Sequence, residues 1–209
     1  MIEATFINHV GDDLTVVNAA RVSFGKKHDE FQGNDLKLIV YLAKHKHISP
    51  FGHCFATFHV KAPVFVARQL VKHKFLRWNE ISRRYVDDPP TFYSPDSWRS
   101  RSEDKKQGSG DAIDVDLQTD IADFNKQCAD YYHHLLAEGV APEQARMVLP
   151  QSMYTEWYWS GSMDAFASMC QLRCAPDTQY ETRLVADQIS SIMLDKFPVS
   201  WAALQEAET

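Results

Sequence analysis

The stretch VARQLVKHKFLRWNEISRRYVDD, from Val66 to Asp88, concentrates Arg68, Lys72, His73, Lys74, Arg77, Arg83 and Arg84. The whole chain carries a formal net charge of −6 at pH 7, so this is a local excess of cations on an acidic protein. A concentration of that kind calls for an anion. Guanidinium groups offer paired planar donors that suit a phosphate or the edge of a heterocycle, and ammonium groups add point charge. Arg84 precedes Tyr85, Arg146 precedes Met147 and Arg173 follows Leu172. An arginine beside a core-forming residue, taken singly, reads as half of a buried structural ion pair. Taken together with Gln69 and Ser82, these arginines make a donor set able to converge on a phosphate and a planar heterocycle.

Several other chemistries find no support. Affinity for a nucleic-acid polymer is built from Lys and Arg, and one basic cluster on an acidic chain suits a small phosphorylated ligand better. No Walker sequence or GxGxxG loop occurs, so phosphate binding rests on side chains. Ser82 as a nucleophile, with His73 as a distant base, lacks a GxSxG elbow and a third member. His45, His47, His53 and His59 come close together, but there is no zinc-finger spacing and no HExxH. Cys170 and Cys174, in CQLRC, lack the CxxC spacing, so no metal site is expected. With Cys54 and Cys128 they read as reduced thiols, mostly buried.

The elements that must position these groups follow from pattern. The chain has 209 residues, 44% hydrophobic and 12% aromatic, enough for one large domain with a real core. No apolar run is long enough to span a bilayer, and MIEATFINHVGDD lacks the features of a signal peptide, so a cytoplasmic protein is expected. Asn34 can cap a helix over Asp35 to His45 with Leu36, Ile39, Val40 and Ala43 on one face. Residues 54–62, CFATFHVKA, read as a strand, and Pro63 opens a helix to about Lys74, placing the basic cluster at its C-terminal end. Arg77 to Val86 continues as loop or strand. PPTFYSPDSW is irregular, and SRSEDKKQGSGD (Ser100 to Asp111) reads as a linker, giving a mobile surface excursion near 88–113. A long amphipathic helix over Val115 to Glu138 ends at Gly139, and Pro142 starts a short helix bearing Glu143 and Arg146. YTEWYWSG is a strand, with helices over Asp164 to Arg173 and Thr178 to Lys196. The class is α+β: a helix-rich single catalytic domain over 1–209.

In that order the chain resembles the flavin-dependent thymidylate synthases. The segments are AARVSFG (Ala19 to Gly25), LIVYLAKHKHISPFGH (Leu38 to His53), FATFHVKAPVFVARQLVKHK, NEISRRY, EQARMVLP, and QLR followed by QYE. The family signature is R-H-R-x7-S, and here Lys72, His73 and Lys74 lead through seven residues to Ser82. The resemblance implies an antiparallel sheet among the helices, and a homotetramer with active sites at subunit interfaces. It also implies a deoxypyrimidine monophosphate substrate such as dUMP, with methylenetetrahydrofolate, FAD and NADPH. Carried over by position, Gln69, Lys72, Glu80, Ile81, Ser82, Arg84, Arg146 and Arg173 hold the nucleotide. Among them Arg173, Arg146 and Ser82 are the catalytic candidates. Arg173 stabilises charge developing on the pyrimidine, and Ser82 and Arg84 hold the phosphate. Ser23, His47, Ser49, Lys72, His73, Lys74, Ser162 and Ser168 match flavin-side positions.

The departures fall wholly or partly on the flavin side. Both signature arginines are lysines, Lys72 and Lys74; Gly52 stands for the Glu of SPFEH; and Ser162, Asp164 and Ser168 replace Asn, Arg and Asn. Lysine keeps the charge but loses the planar fork, and Asp164 reverses a charge near an anionic cofactor. An intact nucleotide side leaves two outcomes open: methyl transfer to dUMP with flavin-borne hydride, or release of a 5-hydroxymethyl product from dUMP or dCMP after trapping by water. A nucleotide-binding protein without turnover, a metal-dependent nucleotide hydrolase and a nucleic-acid-binding module are the readings from other classes.

Overall fold

Alternation of apolar and polar side chains along two stretches builds the centre of the fold. The computed structural model describes residues 1–86, 88–103 and 107–207. In chain order its elements begin with β1 (Glu3–Val10), α1 (Asp13–Arg21), α2 (Gly33–Lys44), β2 (Phe55–Pro63), α3 (Val64–Leu70) and β3 (Leu76–Glu80). They continue with β4 (Arg99–Arg101), β5 (Ser109–Ala112), α4 (Gln118–Ala137), α5 (Pro142–Ala145), β6 (Tyr154–Ser162), α6 (Met163–Arg173), α7 (Tyr180–Lys196) and α8 (Pro198–Glu206). The main sheet has the order β1-β2-β6-β3 and is antiparallel throughout, so the expected α+β class with an antiparallel sheet is the one observed.

One face of this sheet is the core. Ala56, Phe58, Val60 and Ala62 of β2 lie beside Trp157 and Trp159 of β6, all buried. Phe166 of α6 meets Phe58 and Trp159 edge-on, at ring distances of 5.2 and 5.6 Å. Val185, Ala186, Ile189 and Met193 of α7 complete the contact. Each large side chain so buried contributes roughly 1.5–3 kcal/mol. The opposite face is polar: His59 and Lys61 pair with Glu156 at 3.2 and 3.1 Å. Among the described residues no helix is long and apolar enough to cross a membrane.

Some sequence-based boundaries need correction. The second helix is capped by Gln32 rather than Asn34, and it buries Asp35, Ile39, Leu42 and Ala43. Leu36 and Val40, assigned to its inner face, are 49% and 43% exposed. The inner face is set by Asp35, which is 0% exposed and bound to Arg21 Nη2 at 2.7 Å, His28 Nδ1 at 2.9 Å and the Gln32 amide at 2.9 Å. A carboxylate with that many partners outweighs an apolar stripe, and it locks α1, α2 and their connection together. The strand over 154–162, the helix ending at Gly139 and the last long helix agree with expectation, α7 starting two residues late behind Gln179. Strand β1 and helices α1 and α8 were not read from the sequence.

The excursion expected near 88–113 contains paired structure. Phe92 bridges Met153, the Tyr93 amide donates to Ser152 O at 2.8 Å, and β4 pairs with β5. Arg99 of β4 pairs with the buried Glu181, which also accepts from Tyr93 Oη at 3.1 Å. Residues 104–106, in the middle of the segment read as a linker, lie outside the described residues.

Burial opposes ionisation of Asp35, but Arg21, His28 and the Gln32 amide more than offset it and hold its pKa at about 2, below the ordinary 3.8. A carboxyl depressed on folding contributes stability that is whole above its unfolded pKa and is lost as pH falls through the folded one. Asp35→Ala should therefore cost about 1–3 kcal/mol at neutral pH, because the half-buried Arg21 loses its counter-charge and the Gln32 amide its acceptor. Urea unfolding of the two proteins should show this gap closing as pH falls from about 4 toward 2. A gap that is absent at neutral pH, or constant with pH, would contradict the lock.

Candidate active site

Helix α3 separates two groups of candidate residues. Pro63 caps its start, and Val64 and Arg68 lie one turn apart on one face while Phe65 and Gln69 lie on another. The helix stops at Leu70, short of the expected Lys74, and the chain turns through Lys72, His73 and Lys74. Phe75 then takes a left-handed conformation, φ 66°, that costs a bulky residue about 1–2 kcal/mol. This turn delivers Leu76 to β6, where it pairs with Gly161; a Cβ at Gly161 would run into the Leu76 side chain. Lys72 and Lys74 are exposed, and neither is ion-paired among the described residues.

The first group gathers where the end of α3 meets the α6–α7 connection. Arg173 is only 9% exposed and forms no ion pair among the described residues. Its Nε donates to His73 Nε2 at 2.9 Å. His73 must offer a lone pair there, so the imidazole is neutral with its proton on Nδ1. Burial, then the nearby Arg173 charge, holds its pKa at about 4, and burial also lowers that of Arg173. One turn back, Gln69 Oε1 accepts from Thr182 Oγ1 and Gln69 Nε2 donates to Gln179 Oε1, each at 2.6 Å. Thus Gln69, His73 and Arg173 come together, and the Ser82–His73 pairing considered as a nucleophile and base is not formed.

The second group surrounds a cavity of about 590 Å³ lined by Arg68, Glu80, Ile81, Arg83, Arg146 and Tyr154, among others. Glu80 is held by Thr155 Oγ1 at 2.6 Å and by Trp78 Nε1 at 3.1 Å. Ser82 and Arg84 sit on the turn after β3, where Arg84 Nε donates to Ser82 Oγ at 3.2 Å. Arg84 stacks over Tyr85 at 4.9 Å, and both Arg84 and Arg146 are exposed. None of the three arginines is therefore a buried structural ion pair, the reading that sequence alone favours for each. Arg68 and Arg83 line the cavity but were not singled out. Their signal was present in the basic window, and Arg68 lies one turn from Val64.

The flavin-side candidates divide between the turn at 47–53 and the start of α6. His47 and Ser49 are on the turn, Ser162 caps α6, and Ser168 follows on that helix. Lys46, Ile48, Asp164, Ser168 and Gln171 line a smaller cavity of about 150 Å³. Asp164 Oδ1 is buried there without a hydrogen-bond partner, and a Cβ at Gly52 would lie 3.6 Å from it. Ser23 is on the exposed 22–24 turn, and no hydrogen bond among the described residues ties it to the others. Among the described residues no group of His, Cys, Asp and Glu could hold a metal ion.

Residues 5–199 match the family described as thymidylate synthase complementing protein. A flavin-dependent thymidylate synthase of Thermus thermophilus is 40% identical over 201 residues, covering 96% of this chain and 74% of that protein. That of Kosmotoga olearia is 40% identical over 210 residues, covering 97% of this chain and 91% of its own length. Among solved structures, a UMP/dUMP methylase, PolB from Streptomyces cacaoi, bound with 5-Br dUMP, superposes with a TM-score of 0.89. It is 32% identical, over 99% of this chain and 95% of that one.

A histidine whose pKa is lowered from 6.5 to about 4 favours its neutral form in the folded state. Its contribution to stability is whole above about 6.5 and is lost as pH falls toward 4. ¹⁵N NMR of His73 at neutral pH should show a neutral ring protonated at Nδ1, with half-titration near pH 4 and the change sensed at Arg173 Nε. Titration of His73 near 6.5, or a proton found on Nε2, would refute the bond to Arg173.

Proposed function

Because the chain belongs to the thymidylate synthase complementing protein family, we propose that it transfers a one-carbon unit from methylenetetrahydrofolate to C5 of dUMP. The observation that carries this reading is Arg173: a nearly buried guanidinium with no carboxylate paired to it among the described residues, oriented by a neutral imidazole. A buried cation without a partner is expensive, and an anionic ligand removes that cost. C5 of a pyrimidine nucleotide is a poor nucleophile, so the reaction needs negative charge to develop on the ring. A fixed guanidinium at the ring edge lowers the cost of that charge.

The remaining residues take roles that fit their positions. Ser82 and Arg84 hold the phosphate, with Arg146, Glu80 and Ile81 of the larger cavity contacting the same nucleotide. Gln69 and Lys72 act from the side of Arg173. Both groups are open, with α3 between them, and this supports a site completed by a second copy of the chain, as in a homotetramer. Exposed Val22, Phe24, Leu36, Val40 and Tyr41 supply apolar surface that such an assembly would cover.

The residues at the start of α6 fit a phosphate-bearing cofactor in most respects. Lys72 and Lys74 have no ion-pair partner among the described residues, and Ser162, Ser168, Ser49 and His47 offer polar contacts. Asp164 is the exception, since an unpartnered carboxylate stands where an anionic group would approach. When bound and reduced, FAD supplies the hydride that converts a transferred methylene into methyl, with NADPH as the source of electrons. The exchange at Gly52 and Asp164 is the observation that favours a second reading, in which water takes the methylene and the product is 5-hydroxymethylated.

Mass spectrometry of products from dUMP and from dCMP, each with methylenetetrahydrofolate, FAD and NADPH, tests both readings. A methyl group on dUMP supports the first, and a hydroxymethyl group on either base supports the second. No product from either nucleotide sinks both. Arg173→Ala should lower kcat by about 10²–10³-fold. An unchanged rate in that variant would remove Arg173 from the chemistry.

A further inference from the structure

Resting on the reading of a pyrimidine nucleotide as substrate, we infer that Gln179 selects the base, because a directed chain of hydrogen bonds fixes which end of its amide meets the ligand. The chain begins at Thr182, in the first turn of α7. Its side chain is fully buried, so the hydroxyl proton needs an acceptor, and Gln69 Oε1 takes it at 2.6 Å. Gln69 must then turn its Nε2 the other way, where it donates to Gln179 Oε1 at 2.6 Å. With its oxygen engaged, Gln179 is left with an amide nitrogen that can only donate. That nitrogen has no partner among the described residues, and it is not among the buried unpartnered atoms, so it is accessible.

The position of Gln179 matters as much as its polarity. Gln69 and His73 are one helical turn apart along the end of α3 and its following turn. Their partners, Gln179 and Arg173, face them from the α6–α7 connection. Gln179 and Arg173 are thus presented from the same connection to successive turns of one segment. Uracil offers an acceptor at C4, a carbonyl oxygen, whereas cytosine offers an amino donor there. A donor fixed opposite that position pairs with uracil and leaves cytosine with donor facing donor. Reversing the chain would offer the oxygen of Gln179 instead and reverse the preference. Thr182 opposes that reversal, because its buried proton would lose Gln69 Oε1 as acceptor, which makes it and Gln69 positioning residues for a selector at Gln179.

Equilibrium binding of dUMP and dCMP to the full chain, by titration calorimetry without folate or reductant, separates base selection from catalysis. The wild-type chain should bind dUMP on the order of 10- to 100-fold more tightly than dCMP. Gln179→Glu, which can only accept when ionised, should collapse or invert that ratio with little change in melting temperature. Thr182→Val should lower the ratio by freeing Gln69 to turn over, and Thr182→Ser should restore it. An unchanged ratio in Gln179→Glu, with both nucleotides still bound, overturns the role of Gln179 and leaves the one-carbon reading standing. If the wild-type chain binds neither nucleotide, that reading fails and the inference fails with it.

Discussion

A guanidinium that is nearly buried and pairs with no carboxylate among the described residues constrains everything around it. Arg173 at the end of α6 carries a full charge, and its Nε is held by His73 rather than by an acid. An Asp or Glu in that place would bind more strongly and would also cancel the charge. A neutral imidazole orients without neutralising, so the outer edge of the fork keeps its capacity for an incoming anion. That solution dictates local structure. Helix α3 has to stop at Leu70 so that His73 can turn toward Arg173, and Phe75 adopts its left-handed conformation to bring the chain back into β3.

The sheet provides the rigidity that such an uncompensated charge requires. β6 serves as the common reference, because both groups of site residues are attached to it. At one end Thr155 fixes Glu80, and in the middle Trp157 stacks on Trp78 at 4.2 Å. At the other end Gly161 leaves room for Leu76, and α6 follows directly. The signature turn is therefore clamped between a strand that starts immediately after it and a helix that ends on Arg173. Small displacements of β6 would move both groups of candidate residues together, which preserves their relation to one another.

Elements with strong periodicity were legible in the sequence, and those whose ends depend on distant partners were not. The β-formers of β2, the aromatics of β6 and the Gly139 stop of α4 were readable because those signals are local. The end of α3 was not, since nothing in VKHK announces that His73 must leave the helix to meet a residue one hundred positions later. The inner face of α2 was misread because a single buried carboxylate, Asp35, outweighed Leu36 and Val40. The candidate site residues were proposed by position through the family pattern, and the fold brings Gln69, His73 and Arg173 together. Their division by α3, the direction of the Thr182–Gln69–Gln179 chain and the parts played by Arg68 and Arg83 needed coordinates, because sequence spacing carries no information on which side chains share a surface.

The charges of α6 have a physical logic within the helix itself. Asp164 lies in the first turn of this helix and Arg173 in the last. Both charges are favourably placed in the helix dipole, which attracts anions to the N-terminus and cations to the C-terminus. An arginine at the position of Asp164 would oppose the dipole, a cost that a bound anionic group would offset. Aspartate there suits the helix and presents no cation. An acidic side chain at position 52 would face that carboxylate across a short gap and be repelled by it. Asp164 and Arg173 stand nine positions apart on α6, roughly 13 Å along the axis. Each end thus carries a charge that suits the helix dipole, and the arginine end keeps its bond to His73 whichever charge stands at position 164.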